Sequence, residues 1–323
     1  MRRRAPLVAL ALAWLALGGW GVESYASHYY TYRGFAPPRD PQGVVGGRAV
    51  TEWAYSPALR KRQEYIIYLP PGYDRLSAAG KRFPVLYLLH GSPGFPALFL
   101  NAGDLGVALD RLIAAHAIGP MLVVMPSGRH GDTFRDDTEW ANTPKGRFED
   151  YVLDVVHTVD ATWPTIPDRA HRAIAGNSEG GYAAMNLALH HLRTFGTVES
   201  WSGYFRQRAT GPFKHATVAQ LAGNSPAFYA WGMARALRRQ PLQAFLYTGT
   251  SDPGRFRVAE FGQELQAVGG HVRFALYPGH HAWRLWRDQI PHMLRYADLR
   301  FRAGSVTGHR PRHRPARIRA VPA

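Results

Sequence analysis

Short apolar runs alternate with longer amphipathic stretches over most of the chain. The apolar runs predict β-strands at residues 64–69, 84–89, 121–125, 172–175, 197–201, 243–248 and 272–277. The amphipathic stretches predict helices at residues 103–115, 148–163, 180–190, 256–268 and 283–296. This alternation predicts an α/β fold, with a mainly parallel central sheet and helices on both of its faces.

The pattern also divides the chain into four segments. Residues 48–302 show no change of composition and no internal repeat, which predicts one catalytic domain. Residues 27–47 are rich in Tyr, Gly and Pro and predict an extended spacer. Residues 303–323 combine many Arg and repeated Pro with few apolar residues, which predicts a disordered basic tail.

Residues 1–26 have the three-part pattern of an export signal. Arg2, Arg3 and Arg4 are followed by an uncharged apolar run over residues 5–22, and Ser24 and Ala26 supply small residues for a cleavage site. The segment fits a cleaved signal peptide and an uncleaved membrane anchor equally well. In both cases we expect the rest of the chain outside the cytoplasm, because the positive end stays inside.

Composition excludes several classes of protein and of functional site. A content of 46% hydrophobic and 12% aromatic residues excludes a disordered chain of 323 residues. The net charge of +16 lies largely in the two Arg-rich ends, so it does not predict nucleic-acid binding by the domain. The tail is interpreted either as solubilising or as a contact for anionic lipid or wall polymer. The absence of Cys excludes disulfides, a Cys nucleophile and Cys-ligated metal.

A candidate nucleophile lies in the pentapeptide Gly-Asn-Ser-Glu-Gly at residues 176–180. An apolar strand precedes it and a helical pattern with small residues follows it. This strand–turn–helix arrangement is the setting in which a G-x-S-x-G serine becomes an exposed nucleophile, here Ser178. The backbone N–H of Glu179 would then begin a helix and point towards a developing oxyanion.

A nucleophilic serine needs a base, and the base needs an orienting acid. In this architecture the acid and the base follow later strands, in that order. Asp252 follows the strand at 243–248 and is the candidate acid, with a helix N-cap as its alternative role. His280 and His281 follow the strand at 272–277, and one of them is the candidate base.

The loop after an early buried strand supplies the second oxyanion donor in such sites. Here the strand at 84–89 leads into His90, Gly91, Ser92 and Pro93. Gly91 allows close approach of the backbone, and Ser92 N–H is the candidate donor because Pro93 has no N–H. We expect His90 to have a structural, hydrogen-bonding role.

Five motifs together resemble the antigen 85 / esterase D branch of the α/β-hydrolases, over about residues 64–294. They are LYLLHG at 86–91, VVMPSG at 123–128, GNSEGG at 176–181, GTSD at 249–252 and HxWxxW at 281–286. The resemblance implies acyl-ester chemistry without a metal or an organic cofactor. In that family the base stands two residues before the first Trp of the last motif, which favours His281 over His280.

The resemblance also implies that Trp140, with Asp137 nearby, lines the substrate pocket. Glu179 has two interpretations. It either favours an amine-bearing substrate, such as an aminoacyl ester of a membrane lipid, or simply interacts favourably with the first turn of its helix.

We therefore expect an exported serine hydrolase that cleaves a carboxylic ester through Ser178, His281 and Asp252. The substrate would be an ester, with lipid or cell-envelope glycan esters as candidates. One alternative is an acyltransferase that moves an acyl group to a sugar or glycerol hydroxyl. An alternative of another class is a non-catalytic surface-binding protein on a hydrolase fold.

Overall fold

An eight-stranded sheet forms the centre of the protein. The computed structural model describes residues 21–131 and 137–308. The sheet order is β1-β2-β4-β3-β7-β8-β9-β10; β2 runs antiparallel to β1 and β4, and the other neighbours pair in parallel. The strands of this sheet are β1 Arg48–Ser56, β2 Lys61–Leu69, β3 Val85–Leu89, β4 Leu122–Pro126, β7 Arg172–Asn177, β8 Thr197–Trp201, β9 Gln243–Gly249 and β10 His271–Tyr277. Strands β5 Asn142–Thr143 and β6 Gly146–Arg147 pair with each other in a separate two-stranded sheet.

Helices cover both faces of the sheet. The described helices are α1 (residues 21–32), α2 Tyr73–Ala78, α3 Leu98–Asn101, α4 Leu105–Ala114, α5 Phe148–Thr162, α6 Glu179–His190, α7 Val218–Gly223, α8 Pro226–Tyr229, α9 Ala234–Arg239, α10 Arg255–Ala267 and α11 Trp283–Gly308. Helices α5, α6 and α10 pack into one apolar layer, and α4 and α11 pack into the other. Alternate residues of β3 enter opposite layers, because successive side chains of a strand point to opposite faces.

The predicted α/β fold is confirmed. All seven predicted strands and all five predicted helices are present, most with ends shifted by one to three residues. The prediction missed β1, which pairs with β2 along its whole length. This strand lies at the edge of the sheet and exposes alternate side chains, including Trp53 and Tyr55, so its sequence lacks a continuous apolar run.

The spacer prediction for residues 27–47 is wrong at its beginning, where residues 27–32 complete α1. Tertiary contacts hold this segment: the Tyr30 ring stacks on Phe95 at 5.0 Å, and the Arg287 guanidinium lies 4.7 Å from the Phe35 ring. The helix ends where Arg33 and Gly34 adopt positive φ angles of 54° and 85°.

Most of the predicted export signal, residues 1–20, lies outside the described residues. Within the described ranges, no helix is both long and apolar enough to cross a bilayer.

The tail prediction is also wrong at its beginning, because α11 continues through residues 303–308. A tertiary contact explains the extra turns. Gly304 lies directly against Ala170, and the imidazole of His171 bonds to Ser305 Oγ at 2.8 Å. Residues 309–323 lie outside the described part of the chain.

Candidate active site

Ser178 occupies a sharp turn between β7 and α6. Its φ of 55° and ψ of −119° lie in a region that L-residues rarely adopt. A Cβ at Gly180 would overlap the Leu89 carbonyl oxygen, and one at Gly176 would overlap the Gly180 carbonyl oxygen. Both glycines are therefore required for the close approach of β3, β7 and α6. The strand–turn–helix predicted around Ser178 is present.

Ser178, His281 and Asp252 form one hydrogen-bonded chain. His281 Nε2 lies 2.8 Å from Ser178 Oγ, and His281 Nδ1 lies 2.8 Å from Asp252 Oδ2. The two loops that carry His281 and Asp252 are bonded to each other, because Thr250 N–H donates to the Tyr277 carbonyl and Ser251 N–H donates to the Gly279 carbonyl. The parallel pairing of β9 and β10 thus fixes the spacing of the acid and the base.

Asp252 is placed to remain ionised. It is only 4% exposed, and this burial by itself would raise its pKa. Hydrogen bonds from Gly254 N–H, His281 and the Thr248 side chain outweigh burial, so the net pKa is lowered. Helix α10 begins only at Arg255, so Asp252 is not its N-cap residue. An ionised Asp252 accepts the Nδ1–H of His281 and leaves Nε2 free to accept a proton.

Of the two candidate bases, the structure places His281 against Ser178. The Trp286 indole packs edge-on against the His281 ring, with centroids 5.2 Å apart, and its Nε1–H donates to Ser202 Oγ at 3.3 Å. Trp283 packs against Trp286 in turn. The HxWxxW motif is therefore one structural unit, in which the first helical turn of α11 supports the imidazole from behind.

The loop after β3 brings backbone to the nucleophile. A Cβ on Gly91 would lie 3.0 Å from Ser178 Cβ, and Ser92 lines the same cleft as Ser178. His90 braces this loop: its Nδ1 lies 3.0 Å from the Gly91 carbonyl oxygen, and its Nε2 accepts the Gly128 N–H at 3.0 Å. Burial lowers the pKa of His90 to about 4, so the ring is neutral. The structural role predicted for His90 is confirmed.

Trp140 does not line the cleft, contrary to the prediction. It is buried, its Nε1–H donates to the His90 carbonyl at 3.0 Å, and its ring fills the space beside Gly128. An apolar ring that also satisfies a buried carbonyl is more stable inside than at a wet surface. Trp140 therefore supports the loop that carries Ser92 rather than the substrate.

The buried side chain of Glu179 forms a carboxyl cluster with the half-buried Asp137 and Glu139, and none of the three is among the residues that line the cleft. Burial, followed by repulsion from Asp137 and Glu139, raises the pKa of Glu179 well above its usual value. Burial and Asp137 raise the pKa of Glu139 to about 7, although Tyr204 and Gln207 both donate to its carboxylate. Glu179 is 6% exposed and is not among the residues that line the cleft, so the predicted contact of its side chain with a substrate is wrong.

A cleft of about 470 Å³ opens above Ser178 and His281. Leu98, Trp283 and Trp286 give it an apolar side. The N-terminal segment, defined here as residues 29–35, also lines the cleft, although its sequence predicted a spacer. Its composition, with Tyr29, Tyr30, Tyr32 and Phe35 in seven residues, was the available signal, because a solvated spacer rarely carries so many aromatic rings.

Within the described ranges, no group of three or more His, Asp or Glu side chains is arranged so that it could bind a metal ion.

Comparisons with known proteins agree with this architecture. The Esterase family model, described as "Putative esterase", matches residues 56–297. An endo-1,4-β-xylanase/feruloyl esterase of Xylanibacter ruminicola is 34% identical over 149 residues, which are 46% of this chain and 20% of that protein. The MPT51 antigen of Mycobacterium leprae is 23% identical over 267 residues, which are 69% of this chain and 85% of that protein.

A solved ferulic acid esterase superposes with a TM-score of 0.70 at 24% identity, covering 79% of this chain and 99% of that one. At this identity the superposition shows the α/β-hydrolase fold alone. The chain spans 20% to 47% of the length of the first curated relatives that it matches. The match over residues 56–297, together with the sheet order and the turn at Ser178, shows that the chain belongs to the Esterase family of the α/β-hydrolase superfamily.

Proposed function

We propose that the protein is an exported serine hydrolase that cleaves carboxylic esters through an acyl-enzyme. The observation that carries the proposal is the chain of two 2.8 Å contacts from Ser178 through His281 to Asp252, which opens into a cleft. The names of relatives support the same chemistry, since the Xylanibacter ruminicola protein and two Mycobacterium tuberculosis proteins are each named an esterase. The apolar run and cleavage-site residues within residues 1–26 support export.

In the first step, Ser178 Oγ attacks the ester carbonyl carbon while His281 Nε2 takes the hydroxyl proton. The N–H groups of Glu179 and Ser92 stabilise the oxyanion, and each such donor lowers the barrier by about 3 kcal/mol. His281 then gives its proton to the leaving alcohol as the carbon–oxygen bond breaks. Water then attacks the carbonyl carbon of the acyl-enzyme while His281 Nε2 takes its proton. His281 returns that proton to Ser178 Oγ as the acid is released.

The test uses the full chain, a 4-nitrophenyl ester and a fluorophosphonate probe. We expect the probe to label Ser178, and Ser178→Ala to reduce turnover by at least about 10⁴-fold without loss of folding. Ser77→Ala, on the remote helix α2, is the matched control and should keep full activity. Undiminished turnover by Ser178→Ala, or probe attached to another residue, would refute Ser178 as the nucleophile. Absence of both turnover and labelling in the folded wild-type protein would refute the hydrolase and favour a non-catalytic binding role.

Acyl transfer is distinguished in the same assay by the fate of the acyl group. With glycerol or a disaccharide present, a hydrolase releases the free acid, whereas a transferase yields the acylated acceptor. Mass spectrometry separates the two outcomes, because the free acid and the acylated acceptor differ in mass.

A further inference from the structure

The N-terminal segment belongs to the active-site cleft although it precedes the family domain. It lies outside the matched residues 56–297, and yet Tyr29, Arg33 and Phe35 line the cleft that contains Ser178. Arg33 Nη2 donates to the Pro93 carbonyl at 3.3 Å, and thereby joins this segment to the loop that carries Ser92. Together with the contact of Tyr30 on Phe95, this places the segment against the catalytic loops.

The charges in the cleft have one sign. Arg33 and Arg284 are among its lining residues, and within the described ranges no carboxylate is among them. Arg33 Nε is buried and has no hydrogen-bond partner. Arg284 is exposed, and no described residue forms an ion pair with it. By contrast Arg287, on the next turn of α11, is paired with Asp104.

The Arg33 guanidinium lies 5.5 Å from the Tyr30 ring and is held by the Pro93 carbonyl, and no described carboxylate forms an ion pair with it. Its positive charge is therefore not neutralised by a carboxylate of the described residues. Arginine presents its N–H groups in a planar fork that matches the oxygens of carboxylate and phosphate. Arg33 and Arg284 line the same cleft from two different elements, the N-terminal segment and α11, so a ligand in the cleft meets a cation from each of them.

We propose that Arg33 and Arg284 form an anion-recognition subsite, which makes the enzyme selective for esters that carry a carboxylate or phosphate group. The inference rests on the proposed ester hydrolysis and names its substrate class. It also replaces the amine-bearing substrate suggested by Glu179, whose carboxyl group is buried away from the cleft. The N-terminal segment supplies half of the subsite.

The test compares matched neutral and anionic esters with the full chain. In the acyl arm, 4-nitrophenyl butyrate is compared with 4-nitrophenyl hydrogen succinate. In the alcohol arm, monobutyryl glycerol is compared with monobutyryl glycerol 3-phosphate. We expect the wild type to prefer one anionic ester. Arg33→Gln and Arg284→Gln should each lower the anionic-to-neutral ratio of kcat/KM by about tenfold, and the responding arm identifies the anion.

Arg235→Gln, which removes an exposed arginine of α9, is the matched control and should leave the ratio unchanged. The preference should also weaken as salt is raised from 0.05 M to about 0.5 M, because exposed charges are screened. Equal kcat/KM for charged and neutral esters in both arms, or a ratio that neither arginine substitution alters, overturns the subsite.

A binding measurement separates failure of the subsite from failure of the proposed function. Calorimetry of Ser178→Ala with monomethyl succinate and with glycerol 3-phosphate does not require turnover. Binding of either compound that Arg33→Gln weakens supports the subsite even if no ester is hydrolysed. Absence of binding by both compounds, in a protein that hydrolyses neutral esters, refutes the subsite and leaves the hydrolase intact.

Discussion

At the scale of single residues, the position of Ser178 depends on two glycines that have no room for a side chain. Replacing Gly180 by Ala would drive a methyl group into the Leu89 carbonyl, which is backbone and cannot rotate away. We predict that Gly180→Ala lowers the free energy of unfolding by at least about 2 kcal/mol and abolishes turnover. Urea unfolding measures the loss, and Gly223→Ala, whose added Cβ meets no atom within 4 Å, is the control. Equal urea midpoints for the two variants would contradict the argument.

His90 is a positioning residue, because it touches two loops and not the nucleophile. Its two ring nitrogens join the Gly91 carbonyl to the Gly128 N–H. We predict that His90→Phe lowers kcat by about 10² with little change in KM, since a small displacement of the oxyanion donors affects the transition state alone. Because the pKa of His90 is about 4, the shape of the pH–rate profile above pH 5 should not change. A new inflection, or a loss confined to KM, would contradict this role.

At the scale of elements, the carboxyl cluster joins the N-terminus of α6 to the segment around Glu139. Burial raises the pKa of Glu139 from 4.5 to about 7, so the folded protein keeps a proton that the unfolded chain has already lost between these pH values. The free energy of unfolding therefore falls as the pH rises from 4.5 through 7, and Glu179 acts in the same direction.

We predict that Glu139→Gln reduces the fall in the free energy of unfolding between pH 5 and pH 8 by on the order of 1–3 kcal/mol. Thermal or urea unfolding at four pH values measures it. Glu260→Gln, at an exposed position of α10, is the control and should decline as the wild type does. The same slope in Glu139→Gln as in the wild type would show that the carboxyl does not carry the proton.

The elements that bear the catalytic residues were predictable because each has a local signature. Strands β7, β9 and β10 are apolar runs, and Ser178, Asp252 and His281 follow their carboxyl ends. Residues whose place depends on tertiary packing were not predictable. Trp140 and the side chain of Glu179 have sequence positions typical of a pocket, but the surrounding core decides which way each points. Helix α1 was also missed, because the stacking of Tyr30 on Phe95 joins residues far apart in the sequence and is not visible in the local pattern.

At the scale of the whole molecule, the site combines residues of two parts of the chain, the Esterase domain and the N-terminal segment that precedes it. The Esterase domain supplies the nucleophile, the base and the acid at one edge of the sheet, where the carboxyl ends of parallel strands meet. The N-terminal segment closes the cleft from outside that domain. The proposed export would therefore be linked to catalysis, because any processing of the N-terminus has to spare residues 29–35 for the cleft to remain complete.

This link predicts where the exported protein begins. Cleavage after Ala26 would remove the apolar run and Tyr25, whose ring stacks on Tyr29. It would keep the contacts of Arg33 with the Pro93 carbonyl, of Tyr30 with Phe95 and of Phe35 with Arg287. We expect the protein released by a bacterial host to begin at residue 27 or earlier, as mass spectrometry of the intact chain would show. A fully active released chain that begins after Phe35 would contradict the prediction, because it would lack the cleft-lining residues of the N-terminal segment, including Arg33.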